Sequence, residues 1–142
     1  MAGALPPPDD AFEVTSLVRR FSAPVDVDPL LGPVFNEVAE VGWPEHLPKP
    51  TAFWCRILFG TPGFVGAPMR AHMLVHVQSP LRHEHFARWV ELFVNTVDGG
   101  WTGVNAERVK EFAHGVARAH SQRILGTPVE LDQEAGGLDI RD

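Results

Sequence analysis

The 142-residue sequence contains no tyrosine and a single cysteine, Cys55. One thiol builds neither an internal disulfide nor a thiolate metal cluster, a pattern that fits a reducing compartment. No run of 18 apolar residues occurs, and no basic segment precedes an apolar stretch near the N-terminus. The sequence therefore predicts neither a membrane span nor a signal peptide, and the expected location is cytoplasmic. A basic stripe is missing as well. The formal charge of −6 lies in the ends, in Asp9 and Asp10 and in Glu130, Asp132, Glu134, Asp139 and Asp142 against Arg141, while residues 11–126 balance to zero. With no surface to neutralise phosphates, nucleic acid is not an expected partner. The acidic ends favour solubility and a monomer.

What is present is apolar and helical in period. Hydrophobic residues make up 44% of the chain, enough for one buried core. Residues 1–10 and 127–142 lack apolar periodicity and are rich in breakers or acids, so both are expected to be disordered tails around one domain at 11–126. No internal repeat is visible. Val14, Leu17, Val18 and Phe21 form the stripe of a first helix that Pro24 should end. Asp28-Pro29 then opens a single turn through Leu30 and Leu31, ended by Gly32-Pro33, before a corner carrying Val34, Phe35 and Val38. Trp43, Leu47, Phe53, Trp54, Ile57 and Leu58 suggest a second helix closed by Gly60 and Pro62-Gly63. Pro48 and Pro50 put the start of its regular part near Pro50. A short helix with Pro68 in its first turn carries Met69, His72 and Met73, with Val75 or His76.

Two stronger helices follow. Leu81, His85, Phe86, Trp89, Leu92, Phe93 and Val97 share a wide apolar face that stops at Asp98-Gly99-Gly100. Val109, Phe112, Ala113, Val116, His120 and Ile124 share another, opened by Asn105 as a cap with Glu107 in the first turn and closed by Gly126 and Pro128. No alternating run is long enough for a strand. The predicted fold class is all-α.

Seven histidines raise the question of a metal. His72 and His76 share a helical face at i, i+4, yet no carboxylate in that segment completes a zinc set. His83 and His85 flank Glu84 at a helix start, where capping or a surface role is usual. His114 and His120 read as partly buried or solvated polar residues. Cys55 has only Arg56 as a cationic neighbour in sequence and reads as a structural thiol, not the nucleophile of a hydrolase.

Four stretches carry more. Asp28-Pro29-Leu30-Leu31-Gly32-Pro33-Val34-Phe35, Trp43-Pro44-Glu45-His46-Leu47 with Phe53-Trp54, Gly66-Ala67-Pro68-Met69-Arg70-Ala71-His72, and His85-Phe86-Ala87-Arg88-Trp89-Val90-Glu91-Leu92-Phe93 follow one another in a familiar order. From about Phe12 to Ile124 the chain resembles the truncated haemoglobins, specifically their third group. The resemblance implies a shortened globin fold, a two-over-two helical sandwich around haem b. It implies His72 as the proximal iron ligand, a role that suits an imidazole whose second nitrogen donates to a nearby carbonyl.

On the distal side the resemblance implies His46, as a donor, a gate or a sixth iron ligand, and Trp89, whose indole N–H only donates and suits a ligand that has gained negative charge. Phe21, Phe35, Leu47, Pro50, Phe53, Met73 and Phe93 match further lining positions, and Arg70 and Lys49 are candidates for the propionates. The chain departs from the family at Phe21-Ser22, where members usually carry phenylalanine-tyrosine. A hydrogen bond to a charged acceptor is worth about 1.5–3 kcal/mol. Its loss weakens oxygen retention roughly ten- to a hundredfold. Pro48 and Pro50 are expected to reshape the distal wall.

The implied function is binding of diatomic gases (O2, NO, CO), with the iron reduced by a separate reductase. The alternatives are a haem-dependent redox enzyme, NO dioxygenase-like or peroxidase-like, and a haem-free helical interaction module, against which His72 itself argues.

Overall fold

The computed structural model describes residues 5–34, 48–61 and 68–131, of which 68–72 are described by their backbone. Among these residues the regular elements are helices: α1 (Ala11–Val27), α2 (Pro48–Phe59), α3 (Pro68–Gln78), α4 (His83–Gly100) and α5 (Val104–Leu125). The fold class is all-α, as the periodicity predicts. α1 packs on α2 and α4, while α5 packs on α4, α2 and α3.

Asp10 starts α1 as an N-cap, its carboxylate accepting from the Glu13 amide at 2.9 Å. The helix runs through Pro24 to Val27 instead of ending at the proline. Pro24 has no N–H for the Arg20 carbonyl, a defect worth about 3 kcal/mol in a helix interior. The same 3.6-residue stripe, however, continues from Val14, Leu17, Val18 and Phe21 to Val25, which is fully buried against Leu31 and Leu92. Burial beyond the proline overrides the local preference.

Asp28 ends α1 and caps the next turn, accepting from the Leu30 and Leu31 amides at 3.1 and 2.9 Å. Helical backbone continues through Gly32 and Pro33, so this pair does not close the turn. Gly32 is required by close approach: a Cβ there would sit 2.9 Å from the Asp26 carbonyl oxygen. α2 begins at Pro48, which puts both prolines in the first turn, where backbone N–H groups have no intrahelical acceptor to lose.

α5 corrects two expectations. Its N-cap is Gly103 at φ 106°, not Asn105, whose side chain instead donates to Asp9 at 3.0 Å and accepts from Arg108 at 2.9 Å. Its buried stripe is Ala106, Val109, Ala113, Ala117 and Ser121, while Phe112 is 40% exposed. The stripe is built mostly of small side chains, while Ile124 and Leu125 pack on the core near the end of the helix. Gly126, in the left-handed region at φ 87°, closes the helix as expected.

Packing extends beyond the boundaries expected at 11 and 126. Pro8 is buried, and the Thr102 amide donates to the Pro6 carbonyl at 3.0 Å. Beside them the Trp101 indole donates to Glu13 at 2.8 Å under the Arg20 guanidinium. At the other end Val129 is buried, its amide donating to Ser121 Oγ at 2.8 Å.

Candidate functional site

The apolar face of α4 meets α1 and α2 in a wall of aromatic rings. Phe93 stacks on Trp54 at 5.0 Å on one side and on Trp89 at 5.6 Å on the other, with Phe21 edge-on at 5.2 Å. Phe21 also stands edge-on to Trp89 at 6.0 Å, and Phe53 to Trp54 at 5.1 Å. Such offset and edge-on contacts are the geometries that ring quadrupoles favour. Phe93 is only 1% exposed, so it backs this wall instead of lining it. Phe21, Phe53, Pro50 and Trp89 are half-buried.

Trp89 packs against all three clusters of the core. Its ring is therefore held from three directions. Its indole N–H finds no acceptor among the described residues. The residue before it, Arg88, donates from Nε to Asp28 at 2.7 Å and pairs with Glu91 at 3.0 Å. Asp28 is almost wholly buried. Burial alone would raise its pKa, but the hydrogen bonds from Arg88, Leu31 and Leu30, with the Arg88 charge, outweigh it and hold the carboxyl below its ordinary value. The pair joins the turn after α1 to the helix that carries Trp89.

Ser22, expected at a distal position, has its hydroxyl engaged locally. Its hydroxyl donates back to the Arg19 carbonyl at 2.6 Å, within α1. On α2, by contrast, Thr51 has a buried Oγ1 with no hydrogen-bond partner among the described residues. Lys49 is exposed near the start of the same helix.

α3 carries His72 as its fifth residue and Arg70 as its third, both among the residues described by backbone alone. Met73 is not enclosed: it is 43% exposed, with Leu74 and Val77 at 54% and 81%. Val75 instead turns to the core beside Phe86 and Val90. His76 is committed to the connector, its Nδ1 accepting from the Leu81 amide at 2.9 Å. Phe35, His46 and Leu47 lie outside the described residues.

The other histidines have structural partners. His85 Nδ1 accepts from the Arg82 amide at 2.9 Å, a capping contact at the start of α4. Burial and then the Arg82 charge hold its pKa below the ordinary value. His83 Nε2 lies 2.9 Å from the Thr127 carbonyl, and His114 donates to the Lys110 carbonyl at 2.7 Å. Burial lowers His120 and raises the Cys55 thiol, which sits in the core. Among the described residues no helix is long and apolar enough to cross a membrane.

Two features escape the sequence reading. The Asp28–Arg88 pair spans 60 residues, so no local pattern announces it. Thr51 shares the stripe of Trp54, Cys55 and Leu58 at helical spacing, a polar residue on a buried face, and that signal was legible.

An all-helical fold of this order, with an aromatic wall on its first, second and fourth described helices, defines a shortened globin. The crystal structure of a group III truncated hemoglobin from Campylobacter jejuni is similar, with a TM-score of 0.72 at 24% identity over 81% of this chain and 91% of that one. The group 3 truncated hemoglobin ctb of the same organism is 30% identical over 88 residues, 60% of this chain and 67% of the relative. No family model matches the chain. The chain belongs to the group 3 truncated haemoglobins.

Proposed function

We propose that this protein holds haem b and binds a diatomic gas, O2, NO or CO, with the His72 imidazole as proximal ligand. When bound, the haem supplies an iron with a position open to a gas molecule. The observation that carries this reading is Trp89, a ring fixed by three core clusters whose N–H has no acceptor among the described residues. An indole only donates, so the group suits an acceptor that arrives with the ligand. The half-buried Phe21, Pro50 and Phe53 offer apolar surface of the kind a porphyrin covers. These residues fit the group.

His46 is the second distal residue in this reading. Ser22 is not a donor in it, because its hydroxyl is occupied by Arg19. Arg70 and Lys49 are assigned to the propionates. The protein acts as a cytoplasmic monomer with one globin domain, and a separate reductase maintains the ferrous state.

Hemin titration followed by absorption tests the assignment. The wild type and His46→Ala should take up hemin, whereas His72→Ala should lose affinity at least about 100-fold, the upper end of what weaker outer-shell changes cost. Trp89→Phe should keep hemin and release oxygen roughly ten- to a hundredfold faster, the effect of removing a hydrogen bond to a charged acceptor. A preparation that stays colourless with hemin overturns the reading.

A further inference from the structure

Asp28 divides its carboxylate between two parts of the fold. Oδ1 accepts from Nε and Nη2 of Arg88 on α4, both at 2.7 Å. Oδ2 accepts from the Leu30 and Leu31 amides at 3.1 and 2.9 Å. The backbone of Asp28 adds its own ties, the amide donating to the Val25 carbonyl at 3.2 Å and the carbonyl accepting from Gly32 at 2.8 Å. Donors face the side chain from both directions, so both of its oxygens must accept. Asparagine offers one acceptor and turns N–H groups on the other set of donors. The Asp28 side chain is almost wholly buried, so an unmet donor there is costly.

What this junction holds in register is Trp89. Its ring stacks on Phe93, one turn along the same helix, at 5.6 Å, a contact that moves with α4. The contacts from α1 and the turn after it fix the ring against the rest of the chain. Phe21 of α1 stands edge-on to it at 6.0 Å, and the cluster of Val25, Leu31 and Leu92 packs on it. Asp28 caps the end of α1, holds the turn that carries Leu31, and grips the residue beside Trp89. Hydrogen bonds weaken steeply away from linear geometry, so a small rotation of the indole matters to any acceptor it serves.

We infer that Asp28 is a positioning residue for the gas-binding site: through Arg88 and the Leu30-Leu31 turn it sets the orientation in which Trp89 presents its N–H. This rests on the haem reading above. The second partner of Arg88, the exposed Glu91 at 3.0 Å, lies on the same helix and ties nothing across the fold.

Asp28→Asn tests the assignment with and without hemin. In the hemin-free, isotope-labelled protein it should shift the Trp89 indole N–H resonance and leave that of Trp101, which Glu13 holds. In the ferrous hemin-loaded protein it should speed oxygen release about three- to tenfold, the weight of one neutral hydrogen bond. It should also shift the stretching frequency of added carbon monoxide. In a Trp89→Phe background the same substitution should alter oxygen release by less than about twofold, because the group it acts through is gone. Glu91→Gln should keep wild-type values throughout. If Asp28→Asn does not fold, Arg88→Met, which leaves both turn bonds of Asp28 in place, carries the same comparison with the same expected outcome.

An unshifted Trp89 resonance or wild-type oxygen release overturns the proposal. So does equal acceleration with and without the Trp89 indole, because a merely structural defect would act regardless of that group. If the wild type takes up no hemin, or Trp89→Phe releases oxygen at the wild-type rate, the functional reading fails and this proposal with it. A silent Asp28→Asn beside a fast-releasing Trp89→Phe defeats this proposal alone.

Discussion

α4 and α3 carry the two residues on which the proposed site turns, Trp89 and His72, and they are built in opposite ways. α4 buries His85, Phe86, Val90, Leu92, Phe93, Val94, Val97 and Gly100, packs on α1 and α5, and is tied to the end of α1 by the Asp28–Arg88 pair. α3 leans on α5, turns Val75 inward, and leaves Met73, Leu74 and Val77 exposed. The wall behind Trp89 is thus fixed by the protein's own packing. Among the described side chains, the helix that carries His72 draws less from that packing, and an occupant of the proposed site has more to add there.

The largest expected effect tests the fixed side. Phe93→Ala removes the ring on which Trp54 and Trp89 both stack and should destabilise the hemin-free protein by about 3–5 kcal/mol in urea unfolding. A loss below about 1 kcal/mol would mean that the wall is not packed as described. Asp28→Asn comes next. Breaking a buried ion pair costs about 3–5 kcal/mol. Arg88 is 36% exposed, so the loss should be nearer 1–3 kcal/mol because water screens the pair.

This variant also has a pH signature. The Asp28 carboxyl titrates below its ordinary value of 3.8. The stabilisation it contributes is complete above that pH and is lost as pH falls through the depressed pKa. Asp28→Asn should therefore flatten the acid limb of the stability profile. His85 gives a smaller step at higher pH. Burial and Arg82 hold its imidazole below the ordinary 6.5, so the unfolded chain takes up the proton first. Stability should decline as pH falls below about 6.5. His85→Gln, which keeps an acceptor for the Arg82 amide, should remove its share of that decline in pH-dependent urea titrations and leave the share of His120, whose pKa burial also lowers.

The contrast also marks what the sequence makes legible. α4 is easy to read because a dense apolar face at 3.6-residue spacing leaves one orientation for it, and it ends at Gly100 where the Asp98-Gly99-Gly100 cluster predicts. Trp89 and Phe21 fall on the wall for the same reason. Misreadings arise where tertiary packing outweighs local preference. α1 passes Pro24 because Val25 has a buried place to go, and α5 buries Ala106, Ala113 and Ala117 while Phe112 stays 40% exposed. On α3, Val75 takes the core side while Met73 keeps 43% of its surface exposed. The Asp28–Arg88 contact had no sequence signal because its partners meet only after folding.

The smallest effect belongs to the exposed side, and it probes the contrast most directly. Leu74→Ala should change hemin-free stability by no more than about 0.5 kcal/mol, since an exposed side chain has little burial to lose. Amide exchange should then separate the two helices. Without hemin, α3 amides should exchange faster than those of α4, because local opening there exposes few buried contacts. Hemin should slow exchange across α3 far more than across α4, since a ligand that binds only the ordered helix stabilises that helix in proportion to its saturation. Equal protection of the two helices before hemin is added would mean that the packing of α3 suffices by itself, and the division between a preformed wall and a ligand-dependent helix would fail.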